Sequence, residues 1–420
     1  MLDLKFIRNN EETVIKAVKD KNEKAEIKAI IDLDAQKRKL QFDYDQLRSE
    51  QKKIGSEIPK LRKHGEDVSE IMTRMKTVAE ELKVISSKLS ETGNELDQLL
   101  LTVPNIPFRD VPVGGEEDNR FIRDWGSKKR FDFKPLDQVL LAERNVLFDL
   151  KRAARMSGSG FITYTGKGAA LERALINFFL DFHIDKHGYT ELWAPYIVKR
   201  ETMTGTGQLP KLEDDMYHIG EDDMFLIPTS EVSVTNFYAK EILLQKDLPQ
   251  KFVSFSPCFR REAGSYGKDT KGLQRVHQFN KVEMVRFVKP EDSEAALEEM
   301  VKDAEDILQA LGLHYRVVML ATGDLSFASA KTYDLEVWAP GTKKYLEVSS
   351  VSNFLDFQAR RSDIRYRAED GKVYYLHTLN GSGLATPRSF IALIETWQNE
   401  DGTITIPEVL RGYLGGKEIL

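Results

Sequence analysis

Cations and glycines are concentrated in one short stretch of the chain, FRREAGSYGKDTKGLQRVHQFNKVE. Apolar runs flank it, so we expect a strand, a glycine-bearing loop and a returning strand. Arg260 and Glu262 would then stand at the end of the first strand. The other cations of interest are Lys268, Lys271 and Arg275. Because guanidinium groups bind phosphoryl oxygens bidentately, this arrangement suits a polyphosphate, with an exposed salt-bridged hairpin as the alternative.

Two later segments add groups of the same chemical kind. The run YLEVSSVSNF carries Glu347 and Ser350, which offer the hard oxygen ligands that Mg²⁺ prefers. The run LNGSGLATPRSF places Asn380 and Ser382 in a glycine-containing turn ahead of a proline and Arg388. Proline suits the first turn of a helix, so Arg388 should stand at a helix N-terminus, a position that favours anions.

Composition excludes several classes of protein. Of the 420 residues, 41% are hydrophobic and 30% charged, without the long apolar run that a membrane helix needs. The N-terminal MLDLKFIRNNEE is too polar for a signal peptide, so a cytoplasmic protein without a membrane partner is expected. The single cysteine, Cys258, rules out internal disulfides and a thiolate zinc site, and it is expected to be a small buried apolar residue. A net charge of -6 means that nucleic acid would have to bind at a local patch.

The segment GFITYTGKG resembles a Walker A loop only superficially. Five residues separate Gly160 from Gly166 instead of four, and Gly168 follows Lys167 where a serine or threonine must reach the metal. A phosphate-binding loop of that type is therefore not expected here.

The first elements along the chain are two long helices. Apolar residues recur at spacings of 3 and 4 from Ile30 to Leu61 and again from Ile71 to Leu99, on either side of the polar run KHGEDV. This pattern predicts an antiparallel coiled-coil hairpin with arms of roughly 45 to 50 Å. Gly55 is unfavourable inside the first arm, and so is Pro59, so we expect a kink or fraying near the tip.

Basic residues outnumber acidic ones at the tip of this hairpin. They are Arg48, Lys52, Lys53, Lys60, Arg62 and Lys63, against Glu50 and Glu57. Such a run is typical of the solvated face of a coiled coil. The alternative is a salt-sensitive contact with a phosphate backbone. The arm by itself does not decide between them.

A proline- and glycine-rich segment, TVPNIPFRDVPVGGEEDN, separates the hairpin from the rest of the chain. We expect an N-terminal domain over residues 1–103 with the arm at about 27–100, a linker over 104–120, and a second domain over 121–420. In the second domain, strand-like runs such as TELWAPYIV, KFVSFSPCF and YLEVSSVS alternate with helical stretches. Consecutive strands predict an α+β fold with a mostly antiparallel sheet flanked by helices.

Taken in order, these segments resemble a known family. GYTELWAPYIV, FRREAG through FNKVE, and GSGLATPR resemble motifs 1, 2 and 3 of the class II aminoacyl-tRNA synthetases. PTSE, QLPK and EVSS resemble segments of the seryl branch, and the hairpin resembles its tRNA-binding arm. Over essentially its whole length the chain resembles a bacterial-type seryl-tRNA synthetase. It departs from the family at Pro387, where a glycine is frequent, and at Gly412, where a proline is frequent.

The resemblance implies a role for each candidate residue. Arg260 would hold the α-phosphate of ATP and Arg388 its terminal phosphates, and these two are the implied catalytic residues. Phe279 would stack on adenine, while Glu347 and Ser350 would ligate Mg²⁺. The implied ATP-binding set is Arg260, Arg261, Glu262, Val276, Phe279, Glu347, Val348, Ser349, Ser350 and Arg388. The implied serine-binding set is Thr229, Glu231, Glu283, Asn380 and Ser382.

Several of these residues have simpler explanations. Phe279 lies on an alternating strand and by default would be a core residue. Thr229 and Ser230 would serve equally well to cap a helix that begins at Glu231. His277 invites a general-base role, but the implied chemistry does not need one, so we interpret it as structural.

The family implies activation of serine with ATP and transfer of the seryl group to the 3′-terminal ribose of tRNA(Ser), and of tRNA(Sec) in an organism that has it. Mg²⁺ would accompany ATP, and the enzyme would be a homodimer in which the arm of one subunit serves tRNA at the other's active site. Two alternatives are a paralogue that loads a carrier protein and an inactive coiled-coil scaffold. The full arm argues against the first, and the retained charged residues argue against the second.

Overall fold

The structure is a computed structural model that describes residues 1–263 and 272–420. Lys268 and Lys271, which the sequence places on the cationic loop, lie outside the described residues. The chain forms two compact units, one comprising Leu2–Pro104 and the other Asn105–Leu420 together with Met1. None of the described helices is long and apolar enough to cross a membrane.

The N-terminal unit contains the predicted helical hairpin. Its helices are α1 (Leu4–Asn9), α2 (Glu11–Asp20), α3 (Ile27–Lys63) and α4 (Ser69–Leu100). Helices α3 and α4 pack side by side, with Ile54, Val78 and Leu82 buried between them. The apolar seam and the short polar turn are therefore confirmed.

Helix α3 does not end early at its two unfavourable residues. It continues through Gly55 and Pro59 to Lys63, so the expected fraying near the tip is absent from this helix. Proline strains a helix by crowding the carbonyl group four residues earlier, and here that carbonyl belongs to Gly55. Glycine has the backbone freedom to move away from the pyrrolidine ring, which explains why the helix tolerates the pair.

One ion pair joins the two arms near the basic tip. Arg74 of α4 donates to both carboxylate oxygens of Glu50 in α3, over 2.7 and 2.9 Å. Since Glu50 is one of the two acidic residues of the basic run, this pair removes it as a local counterion. The positive charge of the tip is thus less compensated than the sequence alone indicates.

The second unit is built on a large sheet, and its antiparallel character confirms the predicted α+β class. Its strands are β1 (Arg120–Trp125), β2 (Thr190–Glu191), β7 (Gln250–Phe259), β8 (Gln278–Val288), β9 (Tyr315–Met319), β10 (Lys331–Ala339), β11 (Lys344–Asn353) and β14 (His377–Ala385). Their order across the sheet is β1-β9-β10-β11-β14-β8-β7-β2. Neighbouring strands pair antiparallel except β2 and β7, which are parallel.

Two small sheets and several helices complete this unit. The small sheets contain β3 (Ile197–Lys199), β4 (His218–Ile219) and β5 (Met224–Leu226), and β6 (Ile242–Leu244), β12 (Arg365–Arg367) and β13 (Val373–Tyr375). The helices are α5 (Gln138–Asn145), α6 (Leu150–Ser157), α7 (Gly166–His187), α8 (Arg200–Thr206), α9 (Glu231–Thr235), α10 (Ser293–Ala310), α11 (Phe357–Ser362), α12 (Thr386–Thr396) and α13 (Glu408–Arg411).

The run TELWAPYIV is not the single strand that its composition predicts. It splits into β2, at the edge of the large sheet, and β3, in a small sheet. Pro195 lies between them and has no N–H to donate to a sheet ladder, so the run changes partners around it. The neighbouring Tyr196 accepts through its carbonyl from the N–H of Ile227, a residue that follows β5 directly.

One face of the large sheet packs against α7, α10 and α12 and forms the main core. Alternate residues of β10, namely Tyr333, Leu335 and Val337, point into this core. The intervening residues must point to the opposite face, because side chains alternate along a strand. That opposite face is where the polar and charged residues of the middle strands gather.

Candidate active site

A cavity of about 710 Å³ lies over the polar face of the sheet. Nearly all of the candidate residues from the sequence line it. They are Thr229, Glu231, Arg260, Glu262, Val276, Phe279, Glu283, Glu347, Ser350, Asn380, Ser382 and Arg388. These residues come from distant parts of the chain, so the antiparallel strands are what bring them together.

Three of the predicted ATP-binding residues do not line this cavity. Arg261 is exposed outside it. Val348 points into the main core, and the Ser349 hydroxyl is buried and donates to the Ser382 carbonyl over 2.6 Å. The prediction treated EVSS as one block, whereas the strand sends neighbouring side chains in different directions.

A β-bulge explains how Glu347 and Ser350 share one face. In a regular strand, residues three apart point to opposite faces. The pairing between β10 and β11 shifts here, because Leu335 pairs with Ser349 and the next residue, Glu336, with Glu347, which leaves Val348 as an extra residue. The bulge therefore turns both oxygen-bearing side chains toward the cavity.

The Arg260 backbone is held firmly at the end of β7. Its N–H donates to the His277 carbonyl over 2.9 Å, and the His277 ring Nδ1–H returns a hydrogen bond to the Arg260 carbonyl over 3.0 Å. The Arg260 side chain donates to the Pro228 carbonyl and lies 5.1 Å from the centre of the half-buried Phe279 ring. His277 thus acts on the backbone of the arginine, as its structural interpretation requires.

The base of the cationic loop is hydrogen-bonded to Asp215. The Arg261 N–H donates to the Asp215 carbonyl and the Ala263 N–H to its carboxylate, each over 2.8 Å. On the cavity side, Arg275 forms a 2.6 Å ion pair with Glu262. Both ends of the described loop base are therefore anchored.

Arg388 faces the cavity from the first turn of α12, as predicted. Its Nη1 donates to the Glu347 carboxylate over 2.8 Å and to the Glu347 carbonyl over 2.9 Å. Its Nε donates to the Gln274 carbonyl over 3.3 Å. This places a guanidinium group directly beside the carboxylate expected to ligate a metal.

Ionisable groups are buried together in the same cavity. Lys281 Nζ lies 2.6 Å from Glu283 Oε2, and both side chains are almost inaccessible. Burial, reinforced by the charge of Glu283, raises the pKa of Glu231 to about 7. Burial also raises the pKa of Glu283, although the charge of Lys281 opposes this. Such a cluster can accept both an ammonium group and a hydroxyl group.

The neighbouring polar residues fix Glu231 in place. Gln358 donates to its carboxylate over 2.8 Å, and the Thr229 hydroxyl accepts from its backbone N–H over 3.1 Å. Thr229 thus accepts from the first N–H of α9 and still lines the cavity, although Ser230, the N-cap residue, makes no capping hydrogen bond through its side chain. Lys281, Asp215 and Gln358 were not among the sequence candidates.

The most informative residue that the sequence analysis missed is Asp334. Its carboxyl is buried in the cavity wall, opposite Ser350 on the neighbouring strand. Its Oδ1 atom has no hydrogen-bond partner among the described residues. Burial, with the nearby charge of Glu347, raises the pKa of Asp334 well above its usual range. Alternation with core residues gave only a weak signal for Asp334, because its position opposite Ser350 depends on the register of β11.

Among the described residues, no group of three or more histidine, cysteine, aspartate or glutamate side chains is arranged to hold a metal on its own. A cation such as Mg²⁺ keeps several waters and uses few protein ligands together with substrate phosphates. The unpartnered Oδ1 of Asp334 beside Glu347 and Ser350 is the kind of atom that a cation or its water would satisfy.

The antiparallel sheet, with one arginine at a strand end and another at a helix start, agrees with the expected class II aminoacyl-tRNA synthetase, and the family models match that class. The family model "tRNA synthetase class II core domain (G, H, P, S and T)" matches residues 212–397, and "Seryl-tRNA synthetase N-terminal domain" matches residues 1–107.

Comparison with full-length relatives identifies the family within this class. The chain is 51% identical to a serine–tRNA ligase of Caldicellulosiruptor bescii over 99% of each chain. A seryl-tRNA synthetase from Pyrococcus horikoshii, solved with ATP, superposes with a TM-score of 0.93 at 39% identity, covering 100% of this chain and 99% of that one. A cytoplasmic serine–tRNA ligase of Naegleria fowleri, solved with AMP, gives 0.88 at 27% identity, covering 100% and 98%. The chain belongs to the seryl-tRNA synthetase family.

Proposed function

We propose that the chain activates serine with ATP and transfers the seryl group to tRNA(Ser), and to tRNA(Sec) where the cell makes it. The observation that carries this proposal is one cavity lined by two kinds of group. Two fixed arginines, Arg260 and Arg388, line it together with the buried Lys281–Glu283 pair and Glu231. A polyphosphate and a small zwitterion thus each meet complementary groups. The expected compartment is the cytoplasm.

The first step is attack by the serine carboxylate on the α-phosphorus of ATP, with pyrophosphate leaving. The carboxylate is already a nucleophile at neutral pH, so the residues must orient reactants and stabilise charge. Arg260 binds the α-phosphate, and its anchoring by His277 reduces the reorganisation needed on binding. Arg388 binds the terminal phosphates, Phe279 stacks on adenine, and the Val276 backbone reads the edge of the base.

Mg²⁺ fits the wall formed by Glu347, Ser350 and Asp334. When bound, it would neutralise phosphate charge and help to orient the leaving group. Glu347 and Ser350 would supply oxygen ligands, while Asp334 would supply an oxygen to the cation or to one of its waters. Arg388 would then share the Glu347 carboxylate with the metal, because Arg388 donates a hydrogen bond to that carboxylate.

The buried polar cluster accounts for selectivity toward serine. Glu231 and Glu283 accept from the ammonium and hydroxyl groups, assisted by Thr229, Asn380 and Ser382. A pocket that hydrogen-bonds a hydroxyl rejects the analogue lacking it by ~10⁴-fold or more, so alanine is excluded strongly. Threonine must be excluded by size, and one extra methyl is worth only about 1–3 kcal/mol.

The helical hairpin binds tRNA through its basic tip. The Arg74–Glu50 pair supports this assignment, because it leaves the surrounding lysines and arginines without that acidic residue. Backbone contacts of this kind are independent of sequence and weaken with salt.

The active form is a homodimer. Large apolar side chains are exposed within the run that resembles motif 1, among them Trp193 at 71% and Ile197 at 44% exposure. Apolar surface of this kind is typical of an interface between subunits. In the dimer, the arm of one subunit would reach tRNA held at the other's site.

The first test is attachment of labelled serine to total tRNA by the purified chain with ATP and Mg²⁺, using alanine and threonine as controls. We expect charging with serine alone. Serine-dependent pyrophosphate exchange without charging would indicate a carrier-loading enzyme, and loss of both activities would indicate a scaffold.

In the same assay Glu283→Ala should lower serine turnover far more than ATP affinity. Unchanged serine kinetics in that variant would refute the pocket assignment.

A further inference from the structure

The polar face of the sheet continues past the candidate metal site. Cross-strand pairs of β10 and β11 run from Asp334–Ser350 to Glu336–Glu347 and on to Trp338–Tyr345. Trp338 has the same parity along β10 as Asp334, so it belongs to the same face. The aromatic pair therefore lies beside the active site, about 7 Å further along the strands than Glu347 at ~3.4 Å per residue.

A basic segment after β1 covers this aromatic pair. Lys128 Nζ lies 3.7 Å from the Trp338 ring centre and 4.7 Å from that of Tyr345. Lys129 lies 5.3 Å from the Phe131 ring and 5.2 Å from the Trp397 ring. Both lysines therefore form cation–π contacts with aromatic rings.

These groups line a second cavity of about 730 Å³, which we call the basic–aromatic pocket. It is lined chiefly by Lys128, Lys129, Arg130, Phe131, Trp338 and Lys343. No carboxylate is among its lining residues in the described part of the chain. The one acidic neighbour on the sheet face, Glu336, is already paired with Arg316.

The pocket is positively charged, although the whole chain is negatively charged. The net charge is -6, yet four cations meet here, and none of the four forms an ion pair within residues 1–263 and 272–420. Burial lowers the pKa of Lys129, which means that its charged form lacks a compensating partner. A pocket of uncompensated cations on aromatic faces is complementary to a nucleic acid backbone with its bases.

We infer that the basic–aromatic pocket binds the tRNA backbone close to the end that is charged. Lys343 lies in the turn between β10 and β11, four residues before Glu347, so the chain between them spans at most about 14 Å. Stacked nucleotides advance ~3.4 Å each, so this pocket meets phosphates only a few nucleotides from the reacting ribose. The inference rests on the proposed tRNA-charging function and adds a second contact, within the catalytic unit, to the one assigned to the hairpin.

The test uses the full-length double variant Arg130→Gln/Lys343→Gln, because these side chains make no ring contacts within the described residues. We expect KM for tRNA to rise about 10-fold and the salt dependence of log(kcat/KM) to fall by up to ~0.9 per lost phosphate contact. Serine-dependent pyrophosphate exchange, which needs no tRNA, should not change. The matched control is Lys186→Gln/Lys302→Gln, which removes the same charge from exposed positions of α7 and α10.

Each other outcome overturns the inference. An unchanged KM and salt slope would show that the pocket does not touch tRNA. An equal rise of KM in the control variant would show that the effect comes from the net charge of the protein and not from this pocket. Slowed pyrophosphate exchange would indicate that the pocket binds a small anion such as pyrophosphate. If the unmodified protein charges no tRNA, the proposed function fails instead, which keeps the two failures distinct.

Discussion

Burial holds Glu231 and Glu283 together where neither carboxylate is fully hydrated. The pKa of Glu231 rises to about 7, mainly through burial and then through the charge of Glu283. At a pH between the unfolded-state and folded-state pKa values, such a carboxyl keeps its proton in the folded protein and has lost it in the unfolded chain. Its contribution to stability is therefore greatest at low pH and declines as pH rises from about 4.5 to about 7.

This raised pKa predicts proton release on binding. The ammonium group of serine favours the charged form of Glu231, so it lowers the pKa of that carboxyl. At pH 6.5, binding of a non-hydrolysable seryl-adenylate analogue should release a fraction of a proton. Calorimetry in buffers of different ionisation enthalpy measures this, and Glu231→Gln serves as the control. Proton uptake, or equal release in the variant, would contradict the assignment.

Asp334 gives a second prediction at the residue scale. If its free oxygen serves the cation or a metal-bound water, Asp334→Asn should raise the Mg²⁺ concentration needed for half-maximal pyrophosphate exchange by about 10- to 100-fold. Serine binding should be little affected. Ser352→Ala, which removes an oxygen further along the same wall, is the matched control. Equal Mg²⁺ requirements in the aspartate variant and the unmodified protein would exclude the role.

Among the elements, the active-site strands and α12 are joined by one buried carboxyl. Glu172 of α7 accepts from Asn280 of β8 over 2.8 Å and from the Thr386 hydroxyl at the start of α12. Thr386 lies two residues before Arg388, and Asn280 lies one residue after Phe279. Glu172 therefore positions two binding residues without touching substrate.

Replacing Glu172 should weaken this hydrogen-bonded junction without removing a residue that touches substrate. Glu172→Ala leaves the Asn280 amide without a buried acceptor and opens a cavity, so we expect the catalytic unit to lose about 2–4 kcal/mol of stability. Glu172→Gln keeps an acceptor oxygen and should lose less. Tryptophan fluorescence during urea unfolding reports this unit specifically, because all four tryptophans lie in it. Equal destabilisation of both variants would argue against the hydrogen-bonded junction.

The elements also show what sequence periodicity can and cannot predict. The 3,4 spacing predicted the hairpin and its turn, because the coiled-coil seam depends on neighbouring residues alone. Apolar alternation predicted the strand β8 for the same reason. The bulge at Val348 was not predictable, since it depends on the register of a partner strand, and this is why the side chains of Val348 and Ser349 do not point into the cavity as those of Glu347 and Ser350 do. Asp334 was missed because burial with an unsatisfied oxygen is a property of tertiary packing.

For the whole molecule, activation and tRNA binding should be separable. Lys52→Glu/Lys53→Glu at the hairpin tip should lower kcat/KM for tRNA by about 10- to 100-fold, through lost and reversed phosphate contacts, and leave serine-dependent pyrophosphate exchange unchanged. Lys83→Glu/Lys88→Glu, an equally charged change nearer the base of α4, is the control. Parallel loss of exchange and charging would show that the arm is not a dedicated binding element.

Cys258, the one thiol of the chain, is fully buried in β7, and burial raises its pKa. A buried, protonated thiol is a poor nucleophile, so maleimide and iodoacetamide should not label the native enzyme. A cysteine introduced at an exposed hairpin position such as Ser56 would then be the sole reactive site and could carry a fluorophore without background. The native protein is thus already suited to single-molecule fluorescence of its arm.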